Sequence, residues 1–507
     1  MPKRHKNLFH AIRREQFEKA VQNLHERILR LARHEIILEM ARIVAMVGDG
    51  HTNIYPTRDP KIGFHTLPIN LYLFKDGLFI RAAEKENAAL VGARVIRIGN
   101  LSAEQAVTRV REIIGRDNEM DVQFFAPQLL VMPEVLHGLR ITDDLETTAL
   151  VIEKNGRERT VSLRPFRLAE MMPSDVDLSW MTKEGWMDMR EGAKTPPPLW
   201  LKDPQNKFWF EYLPDSRTVY VQLNQVGDKE TETLAAFSKR LFAFVDSSGA
   251  EKLVLDLRLN RGGNGTLLPP LVARIIQSPV NQPGRLFTII GRSTFSAAQF
   301  LVNDLERYSN TLFVGEPSGS KGNQYGDSRK IMLPNSQLTV RVSIYYWQDW
   351  YPWDTRPWTA PHLTTELTSE HYSTNLDPAM KLIVGYVPQK PLGELLEEAY
   401  ANNDVELAKS RFRMFKTDPV NRYYNVQEEM FALGKRLLLS EKLDYAIEVL
   451  KLNTEADPKS VVTYEALGDL YAARKNKELA IKSYEAALKL DPQNSEIEHK
   501  LNQLKQR

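Results

Sequence analysis

The chain has 507 residues, too many for one domain, and its 42% hydrophobic and 26% charged residues are ordinary for a soluble globular protein. A formal net charge of +2 singles out neither nucleic acid nor an anionic membrane as a partner, and no apolar run approaches the roughly 18 residues of a membrane span. There is no cysteine, which excludes disulfides, cysteine nucleophiles and thiolate metal sites.

Residues 8–47 read as helical, with Phe17, Val21, Leu24, Ile28 and Leu31 at three- and four-residue steps. A second helix over 35–47 stops at Gly48-Asp49-Gly50, and His51-Thr52 follows at once. The basic start, Met1 to Asn7, leads into an amphipathic stretch and not an apolar one, so no signal peptide is visible. Residues 66–165 are strand-rich, with a turn at Asp76-Gly77, an apolar run over 89–100, a helix over 103–114 and a closing hairpin on Asn155-Gly156. Residues 124–138 form an insert. Met171-Met172-Pro173 and Pro196-Pro197-Pro198 mark a linker over 166–205.

A strand over 218–224 and a helix over 232–245 lead to the most informative stretch. Residues 252–258 are a continuous apolar run, as in a strand buried on both faces. They enter Asn260-Arg261-Gly262-Gly263-Asn264-Gly265, where glycine lets backbone N–H groups turn toward a ligand. A second run over 286–291 feeds Ser296 at a strand-to-helix switch, a position that suits a nucleophile and an N-cap equally. A third strand, 312–314, enters Gly315-Glu316-Pro317-Ser318-Gly319-Ser320-Lys321-Gly322. Residues 338–346 alternate like one strong strand, and Trp347, Trp350, Tyr351, Trp353 and Trp358 bracket Asp354, either as a substrate wall or as a packed loop. In the tail, Leu433-Gly434, Ala446 and Pro458 recur 34 residues later as Leu467-Gly468, Ala480 and Pro492.

Asp256-Leu257-Arg258 with Asn260 and Gly262-Gly263, then Ser296-Ala297, then Val314-Gly315-Glu316-Pro317 with Lys321, resembles the C-terminal-processing (tail-specific) and tricorn-core serine proteases over about residues 35–385. The tail resembles tetratricopeptide repeats. The resemblance implies a multidomain α/β protein: an N-terminal helical segment (1–55), a PDZ-like β-rich domain with an insert (56–170), a crotonase-like αβ catalytic core (171–388) and an all-α repeat tail (389–507). Where the resembling proteases usually carry Ser-Ala-Ser-Glu, this chain has Ser296-Ala297-Ala298-Gln299, changes that spare the serine and its N–H neighbour.

The implied activity is peptide-bond hydrolysis through an acyl-enzyme on Ser296, which needs a base. Gly48-Asp49-Gly50-His51-Thr52 resembles the catalytic-histidine element of the tricorn type and makes His51 the first choice, with activity rising through a pKa near 6 to 7. Lys321 is the alternative, in a Ser296–Lys321 dyad, and needs desolvation that lowers it by about 3 pK units. A carboxylate would orient His51: the resemblance to the tricorn type implies one nearly sixty residues after the serine, so Asp354, fifty-eight after Ser296, is preferred and Asp327 is the runner-up. Backbone N–H groups of Gly262 or Gly263 and of Ala297 are the candidate oxyanion donors. Asn224, Tyr325 and Trp350 are candidate substrate-binding residues. No metal site and no cofactor is expected, since no two histidines stand at i, i+3 or i+4. The expected partners are a polypeptide substrate and a protein held by the repeat tail. An inert binding scaffold of the same fold is the competing class. The resembling families are mostly exported in bacteria, which leaves localisation open.

Overall fold

The computed structural model describes residues 1–55, 63–167, 184–387 and 390–506. Met171, Met172 and Pro173 of the expected linker, and the expected domain boundaries near 56, 170 and 388, lie outside these residues. The chain forms two compact units, Met1–Tyr386 and Val387–Arg507.

In the first unit, helices Arg14–Arg27 and Arg33–Ala45 precede two mixed layers of sheet and helix. Phe17 and Leu24 bury the apolar stripe of the first helix, whereas Val21 is exposed at the stripe's edge. The first sheet has Ile69–Phe74, Gly77–Glu84, Arg94–Ile98, Thr148–Lys154 and Arg157–Leu163 in that order, all antiparallel. Asn155 and Gly156 both take positive φ at the closing hairpin, the backbone twist that a two-residue turn needs. The insert is helical, Glu119–Leu129 and Pro133–Gly138, and buries Phe125, Leu129, Val135 and Leu136 in the same core as this sheet.

The second sheet has six strands among the described residues: Phe208–Leu213, Thr218–Leu223, Lys252–Asp256, Leu286–Ile290, Leu312–Gly315 and Leu363–Thr364. The first pair is antiparallel and every later pair is parallel. Thr218–Leu223 and Leu286–Ile290 are buried at every position, as strands covered on both faces must be. Helices Leu234–Ser248, Pro269–Gln277 and Ala297–Tyr308 bury Phe237, Leu241, Leu271 and Leu301 against one face. Because the strands are parallel, the loops leaving Asp256 and Ile290 emerge at the same edge of the sheet.

The nine-residue alternating run 338–346 is not one strand. It splits into Thr339–Val342 and Tyr345–Trp347, which pair in different two-stranded sheets. The break falls at Ser343, whose N–H donates to Thr52 Oγ1 and whose hydroxyl donates to Asp49 Oδ1 at 2.7 Å. Groups taken by a distant loop cannot continue a ladder.

The second unit is all helical: Leu392–Ala401, Val405–Thr417, Val426–Leu439, Leu443–Ala456, Val461–Ala473, Lys477–Leu490 and Ser495–Gln506. Ala446 and Ala480, the recurring small residues, are fully buried between neighbouring helices. Among the described residues of the whole chain, no helix is long and apolar enough to cross a membrane.

Candidate active site

Ser296 precedes helix Ala297–Tyr308 in a strained conformation, φ 59° and ψ −123°, that costs a non-glycine residue about 1–3 kcal/mol. Its side chain makes no capping hydrogen bond to the helix, so the N-cap reading fails. The hydroxyl is aimed instead at His51, with Oγ 3.0 Å from Nε2. The main chain of the serine is clamped on both sides: its N–H donates to Ser320 Oγ, and its carbonyl accepts from Gln324 Nε2 at 3.2 Å. The loop that carries Lys321 therefore supports the nucleophile through its serine and glutamine.

The Gly-rich loop lies directly against the serine. Gly262 has φ +101°, and a Cβ there would come within 2.7 Å of Ser296 Cβ and 2.8 Å of Ala297 N. Gly263 has φ +139°, and a Cβ there would meet the Val226 carbonyl at 2.0 Å. Neither position tolerates a side chain. Asn260, part of the sequence motif but given no role there, organises this loop. Its amide donates to the Leu223 carbonyl, its side-chain oxygen accepts the Gly262 N–H at 2.8 Å, and its carbonyl accepts the Phe295 N–H. The Gly262 N–H is thus already committed. Among the described residues no acceptor is bonded to the N–H of Gly263 or of Ala297.

His51 sits on the loop after helix Arg33–Ala45, its ring stacked on Phe295 with centroids 4.5 Å apart. Burial lowers its pKa to about 4. Asp49 and Asp327 pull it upward, Arg261 lowers it further, and the Tyr325 backbone carbonyl has a small raising effect. The ring is therefore neutral at pH 7, the form that accepts a proton. Nδ1 is buried without a hydrogen bond of good geometry, and a weak backbone hydrogen bond toward Tyr325 is the smallest of the influences on the ring.

Asp49 holds the loop. Its Oδ1 accepts the N–H groups of His51 (2.9 Å) and Thr52 (2.7 Å) and the Ser343 hydroxyl, while Oδ2 meets His5 Nε2 at 2.9 Å. Burial raises its pKa, but hydrogen bonds from His5, Ser343 and Thr52 outweigh that and hold it below the usual carboxylate range. Because Asn7 N–H donates to His5 Nδ1, the ring proton of His5 sits on Nε2 and is given to Asp49. A second support comes from the insert: Asp117 Oδ1 accepts the Gly50 N–H at 2.8 Å, and Asp117 N–H donates to Asp121 Oδ2. Burial raises both of these carboxyls. The Asx-type Asp-x-His-Thr turn was readable in sequence as an acidic residue two before the histidine. The partnership with His5 and Asp117 carried no local signal.

The other expected residues lie elsewhere. Asp354 does not orient His51: its carboxylate is held by Arg356 at 2.8 Å, and it is not among the charges that act on the ring. Asp327 influences the ring by charge, but its carboxylate accepts Trp347 Nε1 and is exposed. Lys321 is half-buried and acts on Asp117; the group bonded to Ser296 Oγ is His51. Asn224 lines the cleft, yet its amide is spent on its surroundings, accepting from Gln222 and donating to the Asn206 and Pro204 carbonyls. Tyr325 packs its ring on His5 and His10, at 4.7 and 4.4 Å. Trp350 covers Arg307 and Arg356. Neither Tyr325 nor Trp350 lines the cleft.

The cleft itself has a volume of about 250 Å³ and is lined by His51, Phe295, Gly262 and Gly263 together with Pro204 and Gln205. A second cavity, about 110 Å³, lies at the ends of the sheet strands against Tyr72, Phe124 and Trp200. No histidine lines it, and its charged walls are paired, Arg292 with Glu316 and Arg258 with Asp256 and Asp377. His51 and the Gly262-Gly263 loop line the first cleft.

Comparison with solved structures matches this arrangement of sheets to a serine-to-alanine mutant of CPAF, with a TM-score of 0.50 at 12% identity, covering 73% of this chain and 93% of that one. In fold, this chain is similar to CPAF. Mature CPAF complexed with lactacystin (TM-score 0.49, 11% identity, 76% and 93% covered) and the photosystem II D1 C-terminal processing protease (TM-score 0.32, 14% identity, 76% and 93% covered) are also matched. The tetratricopeptide repeat family profile matches residues 461–494, the helices Val461–Ala473 and Lys477–Leu490. A search by sequence among curated proteins gives no match. The likeness to tetratricopeptide repeats expected from sequence reappears in the family profile.

Proposed function

We propose that this chain is a serine peptidase in which Ser296 is the nucleophile and His51 the general base. The observation that carries this reading is the 3.0 Å contact between His51 Nε2 and Ser296 Oγ, made by a serine that is strained and does not cap its helix. In the reaction, Oγ attacks the scissile carbonyl carbon as its proton passes to Nε2. The oxyanion forms against the N–H groups of Gly263 and Ala297, the first of which stands in for the committed Gly262. His51 then gives the proton to the leaving amine as the C–N bond breaks, and water releases the acyl group by the same route in reverse. The neutral ring suits the first step, and the Asp49 carboxylate, bonded to the main chain of His51, fixes the loop and stabilises the imidazolium that forms.

On this reading the second sheet is a crotonase-like catalytic core, the first sheet a PDZ-like domain interrupted by the helical insert, and the tail a protein-binding repeat array. The expected fourfold division at about residues 55, 170 and 388 belongs to the same proposal. The substrate is a polypeptide. A fluorophosphonate tests the reading directly: mass spectrometry of the labelled chain should find the adduct on Ser296, and His51→Ala should suppress it. An unlabelled wild-type serine would sink the proposal and leave a non-catalytic binding protein.

A further inference from the structure

The cleft lined by His51, the partner of Ser296, is cationic. Lys207, Arg261 and Arg341 line it, and among the described residues no aspartate or glutamate does. The enclosed Arg258 and Arg292 of this unit are paired, Arg258 with Asp256 and Asp377 and Arg292 with Glu316. Arg261 has Asp121 at 3.8 Å and lies over the rings of Phe124 and Phe295. Arg341 differs. It is half-buried, yet among the described residues its guanidinium makes no ion pair, and it rests over the Tyr55 ring at 5.9 Å.

Arg341 is nevertheless firmly placed. Its N–H and carbonyl exchange hydrogen bonds with Asn53, at 2.9 and 3.1 Å, two residues after His51. The Asn53 amide in turn holds the Tyr55 hydroxyl at 2.7 Å and the Gly50 carbonyl at 2.8 Å. The guanidinium therefore projects from the frame that also carries the base. Lys207 donates to the Asp228 backbone carbonyl, a neutral acceptor that leaves its charge uncompensated. The carboxylates that act on His51, Asp49 and Asp327, do not line the cleft. A half-buried guanidinium held at a cleft without a counter-ion is a receptor for a carboxylate, which it binds with two parallel N–H···O bonds.

We propose that the cleft selects acidic polypeptide: a substrate carboxylate pairs with Arg341 while Lys207 adds longer-range attraction. This rests on the peptidase reading for the identity of the substrate as a peptide. The carboxylate can come from an Asp or Glu side chain or from a chain end, and the test separates these sources.

The test uses the full chain carrying Ser296→Ala, so that binding is read without turnover. Fluorescent peptides differing only in Glu against Gln, each with a free or an amidated carboxyl end, are titrated by anisotropy. The expected result is Glu binding about tenfold tighter than Gln at low salt, with an advantage that shrinks as salt is added. The Glu-to-Gln ratio should fall toward one in Arg341→Gln, fall less in Lys207→Gln, and drop below one in Arg341→Glu. If the free-to-amidated ratio alone responds to Arg341→Gln, the carboxylate is the chain end. A Glu-to-Gln ratio and a free-to-amidated ratio that both stand at one, or that both survive Arg341→Gln at full size, would overturn the proposal. Fluorophosphonate labelling of the wild-type serine is read separately: a failed peptidase reading abolishes labelling, whereas a failed recognition proposal abolishes the carboxylate preference.

Discussion

His5 Nε2 lies 2.9 Å from Asp49 Oδ2, and both side chains are buried. The far N-terminal segment thus reaches the carboxylate whose other oxygen holds the main chain of His51. His5 is a positioning residue on this geometry. Losing a hydrogen bond to a buried charge costs about 1.5–3 kcal/mol. His5→Ala should therefore lower Tm and reduce kcat about tenfold or more with little change in KM, and His5→Gln, which keeps a donor, should restore part of kcat. A wild-type kcat in His5→Ala would show that the contact serves stability alone.

Ser296→Ala and His51→Ala should each remove nearly all peptide hydrolysis, and the double variant should be no worse than either, because the two groups act as a unit. Lys321→Ala should cost tenfold or less, since the group bonded to the serine hydroxyl is His51. A larger loss from Lys321→Ala than from His51→Ala would restore the dyad.

Burial depresses His51 to about 4, so the base stays neutral well below the 6 to 7 expected of an ordinary histidine. The acid limb of kcat/KM should accordingly fall through about pH 4, with activity fully present by about pH 6. The same depression has a sign in stability. The unfolded chain takes up the proton first, at about 6.5, so this group's contribution is fully present above that pH and is lost as pH falls toward 4. His51→Asn should flatten that part of the Tm–pH curve. An acid limb centred at 6.5 would mean that the ring is solvated in the working enzyme.

Asp354→Asn should change kcat less than threefold, because the carboxylate is engaged with Arg356. Asp49→Asn should cost far more, since three hydrogen bonds converge on Oδ1 alone. Steady-state kinetics on the two variants, with Tm measured beside them, decide the matter; a thousandfold loss in Asp354→Asn would reinstate it as the orienting acid.

Deleting residues 425–507 should make the remaining chain aggregate, because Leu396, Tyr400 and Phe412 belong to a core completed by Met430, Leu433 and Leu450. Light scattering of the truncated and full chains checks this. A truncated chain that stays as dispersed and as thermally stable as the full one would argue against a continuous core across the tail.

Local pattern was enough for much of this protein. Apolar runs ending at Asp256, Ile290 and Val314 read as buried parallel strands, because burial on both faces leaves no polar alternation to obscure them. Glycines at 262 and 263 and a serine at a strand-to-helix switch mark the active edge of the sheet, and a 34-residue period marks the tail, since each of these signals is written within a few residues. Only the tertiary structure decided which groups serve His51. The spacing from Ser296 to Asp354 carries no distance, and the partnership of Asp49 with His5 is made only when the N-terminal segment packs against the helix that precedes Asp49. The same holds for Arg341 and Ser343: their neighbours Asn53 and Asp49 come from the other end of the chain, and the run 338–346 gives way where those long-range hydrogen bonds replace the ladder. Side-chain partnership across such separations depends on how the layers pack, which no local periodicity encodes.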